Sequence, residues 1–314
     1  ARAALMHRRP LPALPLRRAM AAACLAGLAG TAPAEPRPPT PAASVACSLF
    51  VPRLPGVSYR SCAAARLEES GAFSRNGTPL YWRDVNSPSR ADAAQHPPLR
   101  VLVIGTIHGD ELTSGALALR WLALAASTPR AVHWRFIPVA NPDGLLARKP
   151  QRTNANGVDL NRNFRTPGWD HEAPLHWQKR AHKDPRRWPG TAPLSEPETR
   201  FLNQQIDTFK PQLVVSIHAP YGVLDFDGPL TPPARLGALR LEQVGVFPGS
   251  LGHFGGLQRG LPVVTIELPH ALRMPNEAEQ RSMWADLLRW MDAHLAPEVR
   301  EAHGKPAAGT LSVR

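Results

Sequence analysis

Four short apolar runs constrain this chain more than any other feature. They occupy residues 99–105 (LRVLVIG), 132–139 (VHWRFIPV), 213–217 (LVVSI) and 263–268 (VVTIEL). All have strand length, and several are apolar throughout instead of alternating, as a strand reads when both its faces are covered. Helical stretches separate them. Residues 111–126 (ELTSGALALRWLALAA) and about 277–295 read as helices. Ser195-Glu196-Pro197-Glu198 predicts a helix start, with Ser195 as N-cap and acids in the first turn. Asn76-Gly77, within 74–78, predicts a hairpin turn. Strands alternating with helices give the expectation of an α/β fold: a mixed, largely parallel twisted sheet flanked by helices. No internal repeat and no second domain boundary is visible.

The ends read differently. In residues 6–34 a basic stretch ends at Arg17-Arg18, an apolar run follows from Met20 to Ala29, and Ala32-Pro33-Ala34 puts small residues at the cleavage positions. This predicts a signal peptide over 1–34, cut before Glu35. Residues 35–45 are expected to be a Pro/Ala linker, 46–300 the folded domain and 301–314 a disordered tail. Removing 1–34 takes away five arginines and no acids, so the formal net charge falls from +12 to +7. The remaining basic residues are dispersed and lack interleaved aromatics, so no nucleic-acid partner is expected. No apolar run reaches the roughly 18 residues of a membrane-spanning helix, so no stable membrane insertion is expected. The expected compartment is periplasmic or secreted. There Cys47 and Cys62 are either a disulfide or a pair of buried thiols. The oligomeric state is not readable from the sequence.

The chemistry sits at strand ends. His108-Gly109-Asp110-Glu111 follows the first run, His218 closes the third, and Glu267 lies inside the fourth. Imidazole nitrogens and a carboxylate are ordinary zinc ligands, and three protein ligands leave a fourth position for water. His108, Glu111 and His218 form such a set. Glu267, a carboxylate within an apolar strand, calls for either a structural ion pair or the role of a general base. Between 141 and 164 the chain carries Asn141-Pro142-Asp143-Gly144, Arg152-Thr153-Asn154 and Gly157-Val158-Asp159-Leu160-Asn161-Arg162-Asn163-Phe164. Its arginines and asparagines suit binding of a carboxylate and an oxyanion.

Taken in order, HGDE, NPDG, RTN, GVDLNRNF, PGTAPLSEPET, SIH and TIELP resemble the zinc carboxypeptidase family of the funnelin type over about residues 70–290. The short loops, the HGDE form and PGSLGHFGG before the last strand resemble that family's murein-peptide amidases, which cut between γ-D-glutamate and diaminopimelate. The resemblance implies one zinc per chain held by His108, Glu111 and His218, with Glu267 as general base. It implies that Arg152 polarises the scissile carbonyl, that Asn161 and Arg162 take a substrate carboxylate, and that Asp159 orients the first zinc histidine. It also implies a murein-derived peptide as substrate. The substrate-contacting tyrosine of the digestive members has no counterpart in residues 222–266. The alternatives are a broader metallocarboxypeptidase, a zinc deacylase of N-acyl amino acids, or a catalytically dead wall-binding protein.

Overall fold

The computed structural model describes residues 38–86, 98–128 and 130–297. The expected signal segment, the start of the expected linker and the expected tail lie outside them. Among the described residues seven strands form one sheet in the order β1-β2-β4-β3-β5-β9-β6. The strands are β1 (Glu68–Phe73), β2 (Pro79–Val85), β3 (Leu99–Ile104), β4 (Val132–Ile137), β5 (Leu213–His218), β6 (Leu224–Asp227) and β9 (Val263–Glu267), while β7 (Arg235–Leu236) and β8 (Leu239–Arg240) pair separately. The four apolar runs are the central strands β4, β3, β5 and β9, all parallel. Antiparallel β2, with β1 beyond it, closes one edge, and antiparallel β6 closes the other. The expected mixed sheet is therefore parallel at its centre and antiparallel outside.

Side-chain alternation assigns each strand two cores. Val101 and Val103 enter one cluster, together with Phe50, Trp121, Leu287 and Trp284. Leu102 and Ile104 enter the other, with Leu160, Phe164, Phe201 and Leu202. Helices α1 (Pro41–Phe50), α3 (Leu112–Ser127) and α7 (Glu277–Trp290) contribute to the first cluster and α6 (Pro197–Phe209) to the second, with α4 (Pro142–Leu146) and α5 (Trp169–Lys179) between α3 and α6 in the chain. The same alternation places the polar residues. On β5, Leu213, Val215 and Ile217 belong to the first cluster and Val214 to the second, so Ser216 and His218 continue Val214's stripe. On β9, Thr265 and Glu267 likewise continue the stripe of Val263. Each stripe turns from apolar to polar at the carboxyl end of the sheet, where open α/β sheets form their ligand crevices.

Two local expectations are corrected. Residues 41–45 belong to α1, not to an extended linker: Thr40 Oγ1 accepts from Ala43 N at 3.2 Å and Pro41 occupies the first turn. Ala46 and Phe50 then anchor α1 in the core, and the compact unit begins at Pro39. The N-cap of α6 is Glu196, not Ser195. Ser195 Oγ instead donates to Glu196 Oε1 at 2.7 Å and accepts from Asn163 Nδ2 at 3.0 Å. The hairpin turn at Asn76-Gly77 is present, with Gly77 at φ 81°. Cys47 and Cys62 are disulfide-bonded and join α1 to the short helix α2 (Tyr59–Ala64).

Candidate active site

His108 lies four residues beyond the end of β3 and Glu111 immediately precedes α3. The loop between them packs against the Asn141–Gly144 turn so closely that a β-carbon on Gly109 would lie 2.2 Å from the Gly144 carbonyl carbon. That approach is why the sequence has glycine there. Asn141 fastens the turn: its Oδ1 accepts from Gly144 N at 2.9 Å, and its Nδ2 donates to the Arg152 carbonyl at 3.1 Å. Asp143 ties it to the hairpin through Ser74 Oγ and Asn76 N. The NPDG segment therefore positions its neighbours.

The three candidate ligands converge. His108 Nδ1 is 2.8 Å from Glu111 Oε1, His218 Nδ1 is 3.0 Å from Glu111 Oε2, and the two Nδ1 atoms are 3.2 Å apart. All three residues are buried, and one donor atom from each lies within 4.8 Å of the others. A tetrahedral site with bonds of about 2.0–2.1 Å has ligand–ligand edges of about 3.3 Å, so this spacing and donor set fit zinc. The other ring nitrogens are backed by protein: His108 Nε2 by Asp159 Oδ1 at 3.1 Å, and His218 Nε2 by Ser216 Oγ at 2.9 Å. Both Nδ1 atoms are thereby left to the inside of the site. Burial opposes the charge on Glu111, but His108 and His218 outweigh it and hold its carboxyl well below the usual range.

Glu267 stands beside this trio. Its Oε2 is buried without a hydrogen-bond partner among the described residues, which favours the general base over the structural ion pair. Burial raises its pKa. Arg152 donates from Nε to Asp159 Oδ2 at 3.0 Å and from Nη1 to Glu111 Oε1 at 3.4 Å. Burial works against its charge, but Asp159 and Glu111 raise its pKa. Asp159 itself accepts from His108, Arg152 and Asn161 N; burial works to raise its pKa, but Arg152 and His108 hold it well below its ordinary value.

A cavity of about 720 Å³ gathers His108, Glu111, Arg152, Asn161, Arg162, His218 and Glu267. Every site residue expected from the sequence lines it except Asp159, which lies behind His108 and Arg152. The Asn/Arg-rich stretch divides by role: Asn154 Nδ2 donates to Glu196 and Glu198, and Asn163 Nδ2 to the Pro189 and Ala192 carbonyls, so both are structural. Asn161 Oδ1 accepts from Leu251 N at 2.8 Å. Arg162 stacks on the Phe247 ring at 4.2 Å, and burial lowers its pKa to about 10. Gly249, at φ 78°, lets the following segment approach the Arg162 carbonyl, where a β-carbon would lie 1.9 Å from the oxygen.

Several lining residues had escaped the sequence reading. Phe247 immediately precedes PGSLGHFGG and was the nearest signal available. Tyr221 lies just before the 222–266 stretch that holds no tyrosine, and Arg186 and Arg187 are adjacent charges that no spacing marks as a site. Asp225 and Asp227 lie on edge strand β6, paired with Thr265 and Val263. Both line the cavity.

Residues 64–224 match the model of a family described as zinc carboxypeptidase. That stretch holds every candidate site residue except Glu267. Murein peptide amidase A of Escherichia coli K12 is 32% identical over 233 residues, covering 68% of this chain and 86% of that protein. The protein of that name from Vibrio campbellii is 32% identical over 177 residues, covering 54% of this chain and 69% of its own. Among solved structures, murein-tripeptide amidase of Escherichia coli O157 is similar with TM-score 0.50 and 28% identity, over 71% of this chain and 92% of that one. Carboxypeptidase A of Helicoverpa armigera shares the fold, with TM-score 0.54 and 16% identity over 76% and 69% of the two chains.

Proposed function

The chain belongs to the zinc carboxypeptidase family, and from that membership we propose that it hydrolyses the γ-D-glutamyl–diaminopimelate bond of murein peptides outside the cytoplasm. The observation that carries the chemistry is the buried His108–Glu111–His218 trio beside a Glu267 oxygen that has no hydrogen-bond partner among the described residues. In this reading His108 Nδ1, Glu111 and His218 Nδ1 hold one zinc. Bound there, zinc supplies a Lewis acid that brings the pKa of water toward about 7.

Glu267 takes a proton from the attacking water and delivers it to the leaving nitrogen. The carbon–oxygen bond forms first, with an oxyanion on the former carbonyl, and the carbon–nitrogen bond breaks as the nitrogen takes the proton, so water is the only co-reactant. Arg152 is held by Asp159 and Glu111 through two of its nitrogens, which leaves Nη2 for the oxyanion that develops on the scissile carbonyl. Arg162 and Asn161 take the carboxylate beside the new amine, with Arg162 aligned by its stacking on Phe247. Ser216 is committed to His218 Nε2 and is not a nucleophile.

The substrate reading rests on the similarity to the murein peptide amidases and on the acids of β6. Diaminopimelate carries a distal ammonium as well as carboxylates, and Asp225 and Asp227 supply anions in the same cavity. The disulfide between Cys47 and Cys62 supports an oxidising compartment, and no helix among the described residues is long and apolar enough to cross a membrane. The test compares L-Ala-γ-D-Glu-diaminopimelate with L-Ala-γ-D-Glu-Ala, following products by mass. We expect the first to be cut with kcat/KM roughly 10- to 150-fold higher. Equal hydrolysis of the two would replace this reading with a broader carboxypeptidase.

A further inference from the structure

Four guanidinium groups line the cavity, and the proposed chemistry uses only Arg152 and Arg162. The other two come from one tight turn, Pro185–Arg187, whose N-cap Asp184 accepts from Arg186 N at 2.9 Å. Arg187 adds to the lowering of the Arg162 pKa, after burial and Arg152.

Arg186 points to a different part of the site. Its Nη2 lies 2.8 Å from Oδ2 of Asp110, the residue just before Glu111, so it stands over the loop that leaves β3. Asp225 and Asp227 are on β6, separated from β3 by β5 and β9. His218 on β5 and Glu267 on β9 lie between the two, while His108 and Glu111 flank Asp110 on the β3 loop itself. In the proposed reading the leaving diaminopimelate meets Asp225 and Asp227 on β6, which puts the acyl residue toward the β3 flank. A second cavity of about 400 Å³ opens on that flank, lined by Trp177, Pro185 and Trp188 beside Arg152 and Arg186. Those two arginines border both cavities. The Arg186 side chain is 57% exposed, and Asp110 is its one acid partner among the described residues.

We propose that Arg186 and the cavity beside it form an acyl-side subsite, in which the guanidinium receives a carboxylate carried by the residue that supplies the scissile carbonyl. The inference rests on the proposed murein reading and deepens it. A glutamyl residue linked through its γ-carboxyl keeps its α-carboxylate free, separated from the scissile carbon by three intervening carbons. An α-linked alanine or leucine offers no anion there. A planar guanidinium matches that carboxylate, and the Trp-lined cavity gives room to the small residue that precedes it.

The test pairs L-Ala-γ-D-Glu-diaminopimelate with its D-isoglutaminyl form, in which the α-carboxylate is a neutral carboxamide. The unmutated enzyme should prefer the acid by about tenfold in kcat/KM, the low end of the range for charged hydrogen bonds, because Arg186 is more than half exposed. Arg186→Ala should remove the preference by slowing the acid alone, and Arg186→Lys should keep part of it. Arg180→Ala, which deletes an exposed charge outside the site, should leave both rates unchanged. If Arg186→Ala slows both peptides equally, or neither, the subsite is wrong. Calorimetric binding of the dipeptide L-Ala-D-Glu to the zinc-loaded protein decides the point without turnover: equal affinity in the unmutated protein and Arg186→Ala overturns the subsite. A protein that binds the dipeptide through Arg186 but cuts neither peptide would refute the proposed bond and leave the subsite standing.

Discussion

His218 and Glu267 face each other at the last register position of the parallel pair β5–β9. Adjacent strands lie about 4.8 Å apart, so backbone hydrogen bonds fix a candidate ligand beside a candidate base before any metal arrives. Each ends a stripe that begins apolar, Val214-Ser216-His218 on one strand and Val263-Thr265-Glu267 on the other. The core thus aims both side chains into the crevice.

His108→Ala and His218→Ala should each lose zinc and activity together, as read by elemental mass spectrometry and peptide hydrolysis. Ser216→Ala removes only the support behind His218 Nε2. It should weaken zinc affinity by about 10- to 100-fold, as loss of an outer partner typically does. Either histidine variant retaining both zinc and full turnover would refute the assignment.

Glu267→Gln preserves shape and removes the base. Zinc content should stay at one per chain while kcat falls by at least about 10²–10⁴. A metal-replete variant with unchanged kcat would exclude Glu267 from proton transfer.

Arg162→Ala should raise KM for peptides ending in a free carboxylate far more than for their amides, with the difference on the order of tenfold or more. Phe247→Ala, which removes the ring beneath the guanidinium, should reproduce the trend more weakly. Matching effects on acid and amide would show that Arg162 has another partner.

The disulfide closes a loop with a sequence separation of 15. In the chain-entropy model that contributes about 3 kcal/mol. The double variant Cys47→Ser/Cys62→Ser should unfold at correspondingly lower urea with activity retained before the transition, since neither residue lines the catalytic cavity. An unchanged midpoint would show that α1 and α2 hold together without it.

Legibility followed the range of the interactions involved. The central strands and the ligand set were readable because each is a local pattern: an apolar run, then a polar residue at its end. β6 was not, since LDFD looks like a loop until Leu224 pairs with Ile266 and Asp227 with Val263. α1 carried its start signal in Thr40-Pro41, but Pro/Ala composition concealed it. The stacking of Arg162 on Phe247 joins residues far apart in sequence, and no spacing rule predicts it.

Asp227 is expected to impose a pH dependence on both stability and binding. Its carboxyl is pushed up to about 6, first by burial and then by the neighbouring Asp225. Gly252 packs against it so tightly that a β-carbon there would lie 2.0 Å from Asp227 Oδ2. The fold binds this proton more tightly than the unfolded chain does. The resulting stability is complete below the ordinary value of 3.8 and is lost as pH rises through about 6. Asp227→Asn should therefore be more stable than the unmutated protein at pH 8, by on the order of 1 kcal/mol after solvent screening. The difference in urea midpoint should close near pH 4. Binding runs the other way, because only the ionised carboxylate attracts the distal ammonium of diaminopimelate. KM for the diaminopimelate peptide should rise as pH falls through about 6 in the unmutated enzyme, and that step should be absent from Asp227→Asn. The same KM profile in both proteins would remove Asp227 from substrate recognition.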